Sequence, residues 1–250
     1  MERELNGRVV VITGASSGIG EATARALAGK GASVALLARR ADRVQALADE
    51  LSNGEGGGTA LALEADVTDR GSIEEAARRI KDELGRVDCL VNNAGVMLLS
   101  PFEQGKVDEW KQMIDVNLTG VLETTDVFLE QLLDGGGDIV NLSSVAGRKG
   151  IPSSGAYNAT KWGINGWSDA LRQELLGKNV RIILVEPGAV ATELASHISD
   201  EKSKERVEQM SENFDVLEAE DIASVIEYAV SCPERVSLSE ILIRPTEQPI

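Results

Sequence analysis

The chain has 250 residues and a formal net charge of −16, with one histidine, two cysteines and 3% aromatic residues. That length suits one α/β domain with a sizeable core. The acidity disfavours nucleic acid and anionic membranes as general partners, and no apolar run is long enough to span a bilayer. The opening MERELNGRVVVITG lacks the apolar stretch of a signal peptide, so a cytoplasmic location is expected. Cys89 and Cys232 show no metal-ligand spacing and are read as reduced packing residues, with no metal expected. Acidic excess, nine lysines against sixteen arginines and few aromatics predict salt adaptation, because strong salt screens the self-repulsion of an acidic surface.

Short apolar runs alternate with helix-like segments along the whole chain. RVVVITG is a buried strand, IGEATARALAGKG a helix closed by glycine, and SVALLA the second strand, followed by a helix over 41–51. GEGGGT, 54–59, reads as a flexible turn. ALALEAD, VDCLVNNAG, GDIVNLSS, VRIILVEPG and EILIRP supply further strands. SIEEAARRIKDELG, a long region over 107–133, YNATKWGINGWSDALRQELLG and 219–231 supply the helices between them. Strands that are apolar throughout and alternate with helices pair in parallel with both faces covered. The expected fold is therefore a single-domain doubly wound (Rossmann) α/β sheet of about seven parallel strands. Residues 193–216 are polar and charged and break this rhythm; a lid over the substrate is the first reading, with a solvated helical insertion as the alternative.

TGASSGIG, 13–20, lies between the first strand and the first helix, with Gly14, Gly18 and Gly20 in a G-x3-G-x-G spacing. Glycines allow a tight turn and close approach to a pyrophosphate, whose charge the helix N-terminus favours. At the end of the second strand Ala38 stands where an acid would bind a ribose 2′-hydroxyl, and Arg39 and Arg40 follow. Guanidinium groups there match a 2′-phosphate, so NADP(H) is expected over NAD(H).

YNATK, 157–161, places one of only two tyrosines four residues before a lysine, on one face of a helix. A free phenol has a pKa of about 10 and is a poor base at neutral pH, but a neighbouring ammonium favours the phenolate. Taken with TGASSGIG, ADV at 65–67, NNAG at 92–95, Asn117, Ser144 thirteen residues before Tyr157, and PGAVAT at 187–192, the whole chain resembles a compact short-chain dehydrogenase/reductase. The resemblance implies Tyr157 as general acid and base, and Lys161 as a ligand of the nicotinamide ribose that lowers the phenol pKa. It implies Ser144 as a hydrogen-bond partner of the substrate oxygen and Asn117 as holder of a water linking Lys161 to solvent. The cofactor would be met by Ser16, Ser17 and Ile19 in the glycine turn, by Asp66 and Val67 at the adenine, and by Asn93, Ala94 and Gly95. Pro187, Gly188, Val190 and Thr192 would position the nicotinamide amide. Ser143 competes with Ser144 by composition, and the spacing selects Ser144. His197, the only histidine, lies outside these motifs and is read as a lid or surface residue.

GVMLLSPF, 95–102, and VAGRKGIPSSG, 145–155, are expected to line the substrate pocket, with Met97, Leu98, Leu99 and Ile151 as its apolar wall. Arg148 is the candidate partner of a substrate carboxylate. These loops and the terminal IRPTEQ resemble NADP-dependent family members that act on clavaldehyde or on short 3-hydroxy acids such as serine. Trp162 and Trp167, spaced by Gly163 and Gly166 on the Lys161 helix, suit a homodimer or homotetramer interface. Two other functions compete with a carbonyl reductase or alcohol dehydrogenase acting on a small molecule. A 3-oxoacyl carrier-protein reductase would need a basic docking patch that this acidic chain lacks. An NADPH-binding regulator without turnover would be expected to lack the tyrosine or lysine.

Overall fold

Seven parallel strands form one sheet in the computed structural model, which describes residues 3–54, 58–213 and 215–248, the side chains of 210–213 excepted. The strands are β1 (Val9–Thr13), β2 (Ser33–Ala38), β3 (Ala60–Glu64), β4 (Cys89–Asn92), β5 (Gly137–Leu142), β6 (Val180–Pro187) and β7 (Glu240–Ile243). Their order across the sheet is β3-β2-β1-β4-β5-β6-β7, so the winding reverses between β1 and β4. In open α/β sheets, ligands bind beyond the carboxyl ends of the strands at such a reversal.

The helices between them are α1 (Gly18–Gly29), α2 (Ala41–Ser52), α3 (Arg70–Glu83), α4 (Val107–Ile114), α5 (Gly120–Gly135), α6 (Gly155–Glu174), α7 (Glu201–Asn213) and α8 (Ala219–Ser231). Alternate residues of each central strand serve opposite faces, as the period of two requires. Val10, Ile12, Val34, Leu36, Val140 and Ile183 pack under Ala24 and Leu27 of α1 and Ile222 and Ile226 of α8. Val9, Val11, Ala35, Leu37, Leu90 and Ile139 pack on Ile73 and Ile80 of α3 and on Phe128 and Leu132 of α5. Burial on both sides is why these strands read as unbroken apolar runs. At the sheet edge, β7 alternates exposed and half-buried residues. Among the described residues, no helix is long and apolar enough to cross a membrane.

Three expectations change in detail. The helix over 107–133 is interrupted by a π-turn at Asp115–Thr119, which places Asn117; such turns inside helices often mark functional positions. Segment 193–216 contains a short 3-10 turn, Glu193–His197, and then α7. The turn expected at 54–59 lies partly outside the described residues, which omit 55–57.

The amino ends of the strands are closed by a buried charge network. Asp138, with 0% exposure, accepts from Arg8 at 2.8 Å and from Arg181 at 2.6 Å. Arg181 Nη1 also donates to the carbonyls of Cys232 at 3.0 Å and Val236 at 2.7 Å, just past the end of α8. Arg8 donates to the carbonyl of Asp88 at 2.9 Å. A buried ion pair is tolerable when further hydrogen bonds occupy its remaining donors and acceptors, which holds here for every side-chain nitrogen of the two arginines except Arg8 Nε. Cys89, adjacent in space, is fully buried and its thiol is pushed up to about 12 by burial, which leaves it unreactive at neutral pH.

Candidate active site

The glycine turn is shaped by a clamp between the ends of β1 and β4. Thr13 Oγ1 accepts from the amides of Asn93 and Ala94, each at 3.0 Å, and Asn93 Nδ2 donates to the carbonyls of Thr13 at 2.9 Å and Gly14 at 3.2 Å. Gly14 has φ +65°, and a Cβ there would approach the Ala94 Cα to 2.8 Å; one on Gly20 would stand 2.5 Å from Asn93 Nδ2. Only glycine fits either place. No side chain caps the first turn of α1, because the Ser17 hydroxyl instead accepts from Arg40 Nη2 at 2.7 Å. Its first amides thus face the turn, ready for an anion.

From this turn a cleft of about 500 Å³ runs along the carboxyl ends of the strands. Gly14, Ser16, Ser17, Gly18, Ile19, Arg39, Arg40, Asp66, Val67, Asn93, Ala94, Gly95, Pro187 and Thr192 all line it, as do Tyr157 and Lys161. The remaining expected cofactor residues stand behind the wall. Gly20 packs under Asn93, and Gly188 donates to the Ile243 carbonyl at 2.7 Å, where a Cβ would meet Gln248 Oε1 at 2.2 Å. Val190 bridges to Leu217. An elongated cleft with an anion-ready turn and arginines at one end fits a phosphate-bearing dinucleotide.

The far end of the cleft holds the chemistry. β5 ends at Leu142, and the Ser144 hydroxyl caps the following 3-10 turn by accepting from Ala146 N at 3.1 Å. Ser144 stands beside the Tyr157 phenol, and its hydroxyl also reaches the Pro187 carbonyl at 3.5 Å. Ser143 lines the cleft but binds Asn165 Oδ1 at 2.5 Å, so the structure pairs Ser144, not Ser143, with the tyrosine. Tyr157 and Lys161 lie on one face of α6, with Lys161 Nζ 5.7 Å from the phenol ring centre. Nζ donates to the Leu142 carbonyl at 2.8 Å, and burial lowers the ammonium to about 8.

The expected depression of the phenol by Lys161 is not what the protein by itself produces. Burial pushes Tyr157 up to about 12, with the Ser144 hydrogen bond acting against that rise. Loss of water around the ring disfavours the charged phenolate and sets this direction. Asn117 is also more committed than expected. Its Oδ1 accepts from Val96 N and its Nδ2 donates to Val96 O, both at 2.8 Å, so the side chain anchors the strand-end loop to the π-turn.

The substrate side differs most from the expectation. Arg148 is corrected: its Nε donates to both oxygens of Glu186 at 2.7 and 2.8 Å, and Nη2 pairs with Glu240. It is absent from the cleft wall because Glu186, a buried acid on β6 that the sequence reading passed over, claims it. Leu98 lines the cleft and also a second hollow of about 220 Å³, shared with Ile151, Phe102, Trp110 and Met113. Met97 packs behind it with Leu99 and Tyr157. The start of segment 193–216 packs against this region: Leu194 and His197 line the cleft, and Ile198 is 3% exposed against the Leu98, Leu99 and Tyr157 cluster. Hydrogen bonds from Lys106 to Ser199 and from Ser199 to Glu109, each 2.5 Å, tie the segment to α4. Glu193 and Arg43 were not foreseen. Glu193 lines the cleft and joins Arg40 and Arg43 across about 150 positions of sequence, a pairing without any local signal.

Comparisons with known proteins agree with this geometry. A family model described as short chain dehydrogenase matches residues 8–203. An uncharacterized oxidoreductase of Staphylococcus saprophyticus is 40% identical over 244 residues, 96% of this chain and 97% of the relative. The closed form of a serine dehydrogenase complexed with NADP+ superposes with a TM-score of 0.89 at 32% identity, over 97% of this chain and 96% of that one. An alcohol dehydrogenase from the archaeon Thermococcus sibiricus, complexed with 5-hydroxy-NADP, gives 0.85 at 33% identity over 97% and 98% of the two chains.

Proposed function

Because the chain belongs to the short-chain dehydrogenase/reductase family, we propose that it is an NADP(H)-dependent oxidoreductase interconverting a carbonyl and a secondary alcohol, with Tyr157 moving the proton. The observation that carries this reading is the two-ended cleft. A buried phenol beside Ser144, with Lys161 one turn away, closes one end; the glycine turn with Arg39 and Arg40 forms the other. Two solved relatives hold NADP+ or a modified NADP, which supports the cofactor. The glycine turn and the α1 amides would hold the pyrophosphate, Arg39 and Arg40 the 2′-phosphate, Asp66 and Val67 the adenine, and Pro187 and Thr192 the nicotinamide end. When bound, the cofactor supplies or accepts the hydride.

The residues of the chain do the proton work. With its pKa near 12, Tyr157 keeps its proton at neutral pH, the state a general acid needs to protonate a carbonyl oxygen. Ser144, beside the same phenol, can donate to that oxygen and orient it. Lys161, still largely charged at pH 7, favours the phenolate left behind. Reduction is therefore the direction for which the protein is poised. The amide of Asn117 is spent on Val96, so its part in proton supply would fall to its backbone carbonyl, which a π-turn can leave open.

The hollow shared by Leu98, Ile151, Phe102 and Trp110 supports a compact apolar carbonyl substrate, and Arg148 no longer supports a carboxylate. The exposed Trp162 on α6 supports a homodimer or homotetramer, whereas Trp167 packs in the core. The test is NADPH absorbance decay with a panel of aldehydes and ketones, run in reverse with secondary alcohols and repeated with NADH. Turnover with NADPH is expected. NADPH binding without turnover of any compound would put the regulator in its place, and turnover confined to carrier-bound 3-oxoacyl thioesters would select that reductase.

A further inference from the structure

The structure assigns a role to Glu193: we propose that its carboxylate is a built-in competitor for the cofactor's 2′-phosphate, held on Arg40 and Arg43, and so limits how strongly the chain prefers NADP(H) to NAD(H). The inference rests on the NADP(H) reading above. Arg40 lies across the glycine turn, with Nε on Ser16 Oγ at 3.0 Å and Nη2 on Ser17 Oγ at 2.7 Å. Its remaining nitrogen, Nη1, points at Glu193 Oε2, 2.8 Å away. Arg43 Nη1 reaches both oxygens of the same carboxylate, at 2.8 and 3.1 Å. The arginine set is the part of the cleft suited to a phosphate monoester, and an anion from the chain already sits on it.

Two anions cannot share those donors. Guanidinium forks bind carboxylate and phosphate through the same geometry, and a second negative group brought beside Glu193 meets like-charge repulsion. A ligand with a bare 2′-hydroxyl has no such quarrel with the carboxylate. Binding of a 2′-phosphate to Arg40 must therefore displace Glu193, at the cost of its two contacts. That cost is modest, because Arg40, Arg43 and Glu193 are 39%, 46% and 46% exposed and salt screens them. Displacement also has a structural consequence. Glu193 opens the 3-10 turn that carries Leu194 and His197 into the cleft wall, and Thr192 caps that turn through Leu194 N at 3.4 Å. The residue that contests the phosphate is thus the first residue of the segment whose start packs against the substrate side.

The experiment measures binding, by calorimetry at low ionic strength, of 2′,5′-ADP and of 5′-AMP to wild type and Glu193→Gln. The substitution should tighten 2′,5′-ADP by about threefold to fivefold, leave 5′-AMP within about 1.5-fold, and lose most of that gain in about 0.5 M salt. Hydrogen exchange at 193–197 should rise on adding 2′,5′-ADP to wild type and not on adding 5′-AMP. A ratio of the two affinities unchanged by E193Q, or a weaker 2′,5′-ADP complex, overturns the competition. The outcomes separate this inference from the cofactor reading. If wild type shows no preference for 2′,5′-ADP and E193Q creates one, the competition stands and the NADP(H) reading falls. If neither protein discriminates, both fall.

Discussion

The two ends of the sheet both bury charged side chains, and they treat them in opposite ways. At the amino end Asp138 is gripped by Arg8 and Arg181, and the terminal nitrogens of both arginines also reach backbone carbonyls, that of Asp88 and those around the end of α8. The Arg8 guanidinium is held above its usual value there: burial opposes the charge, and Cys89, Asp138 and Asp88 together outweigh it. At the carboxyl end Lys161 is just as buried but has a carbonyl, that of Leu142, as its acceptor, and burial lowers it to about 8. Tyr157 leans on Ser144 and is raised to about 12. Where partners close the network, a buried charge is a fastener. Where they do not, the protonation state stays movable, which is what proton transfer requires.

The largest expected effect separates the ends by function. Tyr157→Phe should lower kcat/KM for carbonyl reduction by about 10²- to 10⁴-fold while the melting temperature holds and 2′,5′-ADP still binds; unchanged turnover would falsify the mechanism. Asp138→Asn should do the reverse. It leaves two buried guanidinium groups short of a partner, and urea unfolding should show a loss of about 3–5 kcal/mol, with kcat of the folded protein kept. A loss below about 1 kcal/mol would mean the network behaves like a surface pair.

Lys161→Met sharpens the contrast further, since it removes a buried charge instead of stranding one. Activity should fall, and stability at pH 7 should stay level or rise by about 1–3 kcal/mol. The pH dependence has a definite sign. The folded-state value of Lys161 is lowered to about 8 from 10.5, so the unfolded chain binds more protons between those limits and wild-type stability should rise with pH from about 8 to 9, until Cys89, raised from 9.0 to about 12, offsets the slope. Tyr157, raised from 10.0 to about 12, reverses that slope above pH 10. A wild-type curve that stays as flat as that of Lys161→Met across pH 8–9 would show that the lysine is not desolvated. Salt should have the smallest effect and touch neither end. Molar KCl should raise the unfolding midpoint by screening the surface of a chain with formal charge −16, while the Asp138→Asn penalty, buried beyond the reach of ions, stays the same at low and high salt.

Much of this was legible along the chain because the signals are local. Runs such as VVVIT and SVALLA are apolar at every position, which only a strand covered on both faces permits. The glycine turn shows in the sequence because no other residue fits positions 14 and 20. The Tyr157 and Lys161 pair shows because i and i+4 share a helix face. The break in the 107–133 helix was not legible, since a π-turn leaves the apolar spacing almost intact and depends on Asn117 gripping Val96, 21 positions away.

The sequence by itself determined the succession of strands and helices, the glycine turn and the placing of Tyr157 and Lys161 on one helix face, all of which are written in neighbours a few positions apart. Only the tertiary structure decided which acid meets which arginine. It gave Arg148 to Glu186, Arg40 and Arg43 to Glu193, and Asp138 to Arg8 and Arg181. It also set the charge states of Tyr157 and Lys161. Charges act through space and through the water that burial removes, and neither distance nor burial can be read from positions 40 to 150 residues apart in a chain.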